Sequence, residues 1–190
     1  GIENNENKDG MIDAFNTLIS SYLYKGDLEN ADKFWAKYLE YSKNLPGDQK
    51  EYVLALKLAM KVKKMKQDFE QIIKLIREYV QIAEQVYGKN SQEYINVHKE
   101  KASLNMALQS YGASYKECLE GYDLAKEIYG TEENVDSSEI LNIMAMIKFR
   151  QQDFEQSKNL LEKSKAIESK VTSTNSQQYR EILNIEAMIL

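Results

Sequence analysis

The segment Glu139-Ile-Leu-Asn-Ile-Met-Ala-Met-Ile147 returns as Glu181-Ile-Leu-Asn-Ile-Glu-Ala-Met-Ile189, identical at eight of nine positions and 42 residues further on. Unrelated amphipathic stretches do not agree over that length, so the chain reads as an internal repeat. Tyr87-Gly88 and Tyr129-Gly130 repeat the same step at another phase. A period between about 20 and 50 residues marks stacked units, each too small to bury its own apolar face and stable only against its neighbours.

Eight glycines and one proline in 190 residues leave few of the chain breaks that sheets need, so a nearly all-helical chain is expected. Hydrophobic residues at 43% and charged residues at 29% supply both a core and a solvated surface, which disfavours a disordered segment. A net charge of −5 offers no general neutralisation of phosphates, and no nucleic-acid partner is expected. Lys57 and Lys61 interrupt the most apolar run, Tyr52 to Val62, and Lys63 ends it, so no membrane span is expected either. The lone cysteine, Cys118, cannot close an internal disulfide and reads as a small core residue in a reducing, cytoplasmic setting. Residues 1–10 are polar and read as a leader or processing scar, leaving residues 11–190 as the array.

Short polar breaks separate stretches of helical periodicity, which predict helices near 11–25, 28–44, 50–66, 69–87, 92–110, 114–129, 137–151, 154–170 and 177–190. They fall into four pairs plus one C-terminal helix. Asp27, Asp68, Ser114 and Asp153 precede an apolar residue, Leu28, Phe69, Tyr115 or Phe154, and are suited to cap the second helix of each pair. Spacings of 41, 46 and 39 residues between these four anchors predict an extra turn in the first helix of the third pair. Positions three, seven and ten after each anchor share one face: Ala31, Trp35, Tyr38; Ile72, Ile76, Tyr79; Cys118, Tyr122, Ala125; Ser157, Leu161, Ser164. Asp136-Ser-Ser-Glu139 reads as a capping box for the fourth pair, and Asn175-Ser176 as the start of a fifth, left unfinished at Leu190 as in a fragment of a longer protein.

This pattern resembles the tetratricopeptide repeat (TPR) over roughly residues 11–190. The resemblance implies an all-α fold, a right-handed superhelical array (α-solenoid) of antiparallel helix pairs. The family's usual period is about 34 residues; the longer step, Leu141 to Ala145 with Leu183 to Ala187 (Leu-Asn-Ile-x-Ala), and Tyr-Gly before a polar loop are similar to the kinesin light chain subclass. There the strings read Leu-Asn-Asn-Leu-Ala and Leu-Gly, followed by His-Pro in the loop. His-Pro is absent here, where Asn90-Ser91 and Val135-Asp136 stand, so the subclass geometry is expected rather than identity with a motor light chain.

In such arrays the first helices line a concave groove. The resemblance therefore assigns to a partner-binding groove Asn16, Ser20 and Tyr24; Lys57, Lys61 and Lys64; Tyr111; Asn142, Met146 and Phe149; and Asn184. Ser103, Ala107 and Ser110 are the third pair's counterparts, with a register loose by one residue. The three lysines form a basic stripe fit for acidic side chains of a ligand, against the plainer reading of a solvated face. Asn142 and Asn184 stand where the subclass carries an asparagine that hydrogen-bonds an extended peptide backbone.

Nothing points to an enzyme, a cofactor or a metal. His98 is the only histidine, flanked by Lys99 and Glu100, and reads as structural or solvated. No phosphate loop, paired-cysteine spacing or Gly-x-Ser-x-Gly turn occurs. The expected function is a protein-interaction scaffold or adaptor that holds a peptide or helix of a partner, in a cytoskeletal, ciliary or basal-body assembly by family resemblance. The alternatives are a structural self-assembly module, with homo-oligomers formed through the apolar C-terminal helix, and a peptide-sensing regulatory domain.

Overall fold

Four chain reversals each turn on one residue at positive φ: Gly26 (72°), Gln67 (56°), Gln109 (60°) and Gln152 (63°). In the computed structural model, which describes residues 2–45, 49–172 and 176–189, each reversal joins two helices of a pair. The described residues form nine helices and no strand: α1 (Ile2–Tyr24), α2 (Leu28–Lys43), α3 (Lys50–Met65), α4 (Phe69–Tyr87), α5 (Gln92–Ala107), α6 (Tyr111–Tyr129), α7 (Val135–Arg150), α8 (Phe154–Val171) and α9 (Gln177–Ile189).

The residue after the left-handed one caps the next helix. Asp27 accepts from the Asn30 amide at 3.1 Å, Asp68 from Gln71 at 3.2 Å and Asp153 from Gln156 at 3.1 Å. Ser110 holds this place in the third turn without a side-chain bond. The anchors of the second helices are therefore Leu28, Phe69, Tyr111 and Phe154, at nearly even steps, and Tyr115 is not one of them. The third pair carries no extra turn: α3, α5 and α7 are each 16 residues long. Ser114 is not a cap. It is buried three residues after Tyr111, where its hydroxyl donates to the Ala102 carbonyl of α5 at 2.6 Å. Ser157 makes the same bond to Ala145 of α7 at 2.8 Å, again across 12 residues, while Ala31 and Ile72 fill that position with methyl groups.

Two further expectations are corrected. Helix α1 starts at Ile2 and not near residue 11, so residues 2–10 are helical; a polar sequence does not prevent a helix, and Gly10 alone costs only about 1 kcal/mol in its interior. The cap of α7 is Asn134, whose side chain accepts from Ser137 at 2.8 Å, rather than Asp136. Ser176 accepts from the Tyr179 amide at 2.9 Å at the start of α9; Asn175 and Leu190 lie outside the described residues.

The chain divides into two compact units, Gly1–Val86 and Tyr87–Leu190. In the first, Ile12, Ile19 and Leu23 of α1 meet Ala31 and Tyr38 of α2 and Ala55 and Val62 of α3. Phe15 stacks on Tyr38 with ring centroids 5.3 Å apart. Asp32 of α2 clips α3 through Lys63 at 2.7 Å, through Lys66, and holds the Trp35 indole at 2.5 Å. Lys63 also lies over the Trp35 ring. In the second unit, Ile95 and Ala102 of α5, Cys118 and Ala125 of α6, and Ile140, Leu141, Met144 and Ile147 of α7 form one cluster. Ala145, Leu161, Ile182 and Ile185 tie α7 and α8 to α9 in another.

Ala31 and Leu161 are fully buried, as the repeat spacing predicts. Ala31→Asp strands an unpaired charge between helices and is expected to cost about 3–5 kcal/mol; a thermal melt with an unchanged midpoint would contradict the packing. Burial alone would raise the Asp32 carboxyl, but hydrogen bonds from Lys63, Lys66 and Trp35 outweigh it and hold it at about 2, below its ordinary 3.8. A lowered folded-state pKa gives stability that is complete above about 3.8 and is lost as the pH falls through about 2. Asp32→Asn should therefore lower the melting midpoint at pH 6, with the gap to the parent chain closing toward pH 2.

Candidate functional site

The left-handed turn fixes which side each preceding helix offers. Ten residues before it stand Asn16, Lys57, Lys99 and Asn142, and 42 residues beyond Asn142 stands Asn184. Lys99 is the member that the sequence reading missed. The parallel between Gln109-Ser110-Tyr111, Gln67-Asp68-Phe69 and Gln152-Asp153-Phe154 is the signal that locates it.

In the first unit, Lys57, Lys61 and Lys64 follow one another along α3 at helical spacing, opposite its buried side of Ala55, Ala59 and Val62. Leu54, 44% exposed, continues their row by one turn. Ser20 is exposed on α1, and Tyr24 at its end is 94% exposed. Asn16 is half-buried beside Tyr38, whose phenol burial pushes up to about 12 against the opposing pull of the Asn16 amide.

In the second unit, α5, α7 and α9 provide the corresponding surface. Lys99 reaches from α5 to Asp136 at 2.7 Å and Glu139 at 2.5 Å on α7. Burial draws its ammonium pKa down, but the two carboxylates outweigh burial and hold it above the ordinary lysine value. Asp136 also accepts from the Tyr129 hydroxyl at 2.8 Å. A cavity of about 540 Å³ opens here, lined by Gln92, Asn96, Lys99, Tyr129, Asp136 and Glu139 among others.

One turn along α7 sits Asn142. It is 5% exposed, and neither its amide oxygen nor its amide nitrogen has a hydrogen-bond partner among the described residues. Leaving such a group unpaired costs about 1–3 kcal/mol. Met146 and Phe149 follow, both half-buried, with Phe149 tilted against the Phe154 ring at 5.7 Å. Asn184 is exposed on α9, and Ser103 is half-buried on α5. Tyr111 does not belong with them. It is the first residue of α6, partly buried against the unit's core, because the third turn comes four residues earlier than its sequence implied.

A second opening, about 740 Å³, lies on the side of α6 and α8, floored by Tyr115, Leu119, Tyr122, Leu141, Met144 and Leu160. Among the described residues no helix is long and apolar enough to cross a membrane.

No protein-family model matches the chain, and no curated protein sequence matches it. Its fold is nonetheless found in solved structures. The crystal structure of BtubC (BKLC) from P. vanneervenii superposes with a TM-score of 0.74 at 11% identity, covering 94% of this chain and 72% of that one. The crystal structure of a point variant of a putative kinesin light chain from P. anserina, with nearly identical TPR-like repeats, gives 0.70 at 12% identity, over 94% and 84%. A further structure of the same P. anserina protein gives 0.69 at 12%, over 94% and 85%. At these identities the likeness concerns the fold alone, and that fold is the all-α, TPR-like one.

Proposed function

We propose that the chain is a protein-interaction scaffold that takes an extended peptide segment of a partner on the faces of its first helices. The observation that carries this reading is Asn142, a buried amide with no partner for either polar atom among the described residues, whose covered side chain has to turn outward to meet a ligand. An amide carries both a donor and an acceptor, which matches the paired N–H and C=O of one peptide unit. Asn184 repeats the residue on α9, and Met146 and Phe149 add apolar surface beside Asn142. In the first unit the Lys57, Lys61 and Lys64 stripe fits acidic side chains. Rim charges of this kind act chiefly on encounter and selectivity.

The 42-residue step and the likeness to structures described as a kinesin light chain and BtubC (BKLC) favour the kinesin light chain-like subclass and a cytoskeletal setting. The ciliary or basal-body setting is a narrower form of the same proposal. Self-assembly is a second reading, favoured by one observation: Leu183 and Met188 of α9 are 43% and 51% exposed, while Ile182 and Ile185 pack inward.

Asn142→Leu should raise the melting midpoint by removing the unpaired amide, and should weaken, by about tenfold, a peptide selected on the full chain from a random-sequence display library. Loss of stability instead would mean that the amide is already satisfied. Reversing Lys57 and Lys61 to Glu should weaken an acidic peptide selected in the same way, flatten the salt dependence of its binding and leave helicity intact; equal affinity assigns the lysines to solvent. For self-assembly, sedimentation of the parent chain should give a mass above the monomer that Leu183→Glu with Met188→Glu returns to one copy. A monomeric parent ends that reading.

A further inference from the structure

The third helix pair departs from the other three at a few neighbouring positions. Eleven residues before the left-handed turn, the other first helices carry Phe15, Leu56 and Leu141, whereas α5 carries His98. Six residues after the anchor, the other second helices carry Phe34, Leu75 and Leu160, whereas α6 carries Glu117. Ten after it, where the others have Tyr38, Tyr79 and Ser164, α6 has Gly121. A Cβ at Gly121 would come within 2.9 Å of the His98 Cβ, so the glycine is what lets α5 and α6 approach this closely beside the histidine. The apolar residues at these positions of the other pairs are here replaced by an imidazole and a carboxylate. Such groups are costly to bury and need a specific use.

His98 Nδ1 lies 2.8 Å from Glu117 Oε2 and 3.8 Å from Glu120 Oε2, and one ligand atom from each of the three residues falls within 4.8 Å of the others. His98 is 9% exposed, with Tyr94 edge-on to its ring at 5.4 Å. Glu117 and Glu120 are three residues apart on α6 and so face the same way. Lys101 binds the other Glu117 oxygen at 2.5 Å, which orients the carboxylate while leaving Oε2 turned to the imidazole. Ligands about 2.0–2.2 Å from a tetrahedral ion stand about 3.4 Å apart, between the two spacings seen. Opposite shifts of about half an ångström in Glu117, outward, and in Glu120, inward, bring both spacings to the imidazole to that value.

We propose that His98, Glu117 and Glu120 form a binding site for a divalent transition-metal ion of the zinc type, which clamps α5 to α6. One nitrogen and two carboxylate oxygens suit a borderline ion and leave a fourth position for water. The imidazole binds through Nδ1 in its neutral form and gives up its hydrogen bond to Glu117. No thiolate competes, since Cys118 is buried and its thiol is pushed up to about 12 by burial and then by Glu117.

Because the chain has a single histidine, the test is clean in the full 190-residue protein with no added histidine tag. Zinc titrated against a chromophoric indicator near neutral pH should bind at one ion per chain, shift the His98 imidazole resonances and raise the melting midpoint. His98→Gln should abolish the binding. Glu120→Gln, at a position 47% exposed in its side chain and therefore safe for folding, should weaken it by about tenfold or more. Absence of stoichiometric binding, or affinity unchanged in either variant, would overturn the site and leave His98, Glu117 and Lys101 as a purely structural ion-pair network.

Discussion

The left-handed turn inside each helix pair is the constraint on which the rest of the structure depends. At Gly26, Gln67, Gln109 and Gln152 the backbone must adopt positive φ to bring the second helix back along the first. Glycine meets this demand once; the three glutamines meet it at a cost of about 1–2 kcal/mol each. The packing set by each turn offsets that cost. Three residues beyond each anchor, Ala31, Ile72, Ser114 and Ser157 are buried, and their burial holds the pair in register. Where serine takes this place, its hydroxyl bonds a carbonyl that a closely packed helix can present and a distant one cannot.

From the same turn the exposed and buried sides of every first helix follow by counting. The positions ten residues before it, Asn16, Lys57, Lys99 and Asn142, are polar in all four pairs, although Lys99 is engaged by Asp136 and Glu139 and Asn142 is left unpaired. One residue earlier, the position belongs to the core, and only His98 breaks its apolar character. The two polar departures differ in kind. Asn142 leaves its donor and acceptor unpaired among the described residues, while His98 is matched by Glu117 inside its own pair.

Much of this is legible in the sequence. The 42-residue echo and the helical spacing of apolar residues place all nine described helices, most to within two or three residues, because such periodicity is a direct consequence of burying one face. The third pair misleads for a physical reason. Ser110-Tyr111 and Ser114-Tyr115 are four residues apart, and a shift of four keeps the same helical face, so periodicity alone cannot choose between them. The glutamine before Ser110 is the discriminating mark, but glutamine carries no general preference for positive φ and does not stand out. The helix over residues 2–10 is missed because they are polar, and polarity does not exclude helix formation. That Asn142 lacks partners among the described residues is not legible, since hydrogen-bond satisfaction depends on what α5 and α9 bring beside it.

The central claim is that the first-helix faces, and Asn142 in particular, wait for a peptide backbone. The most direct measurement is the side-chain amide resonances of Asn142 and Asn184, followed by NMR while a selected peptide is titrated into the full chain. The account predicts large shifts of both amides, with slowed exchange of the Asn142 amide protons. Shifts confined to Leu119, Tyr122 and Leu160 along α6 and α8, with Asn142 unchanged, would contradict it.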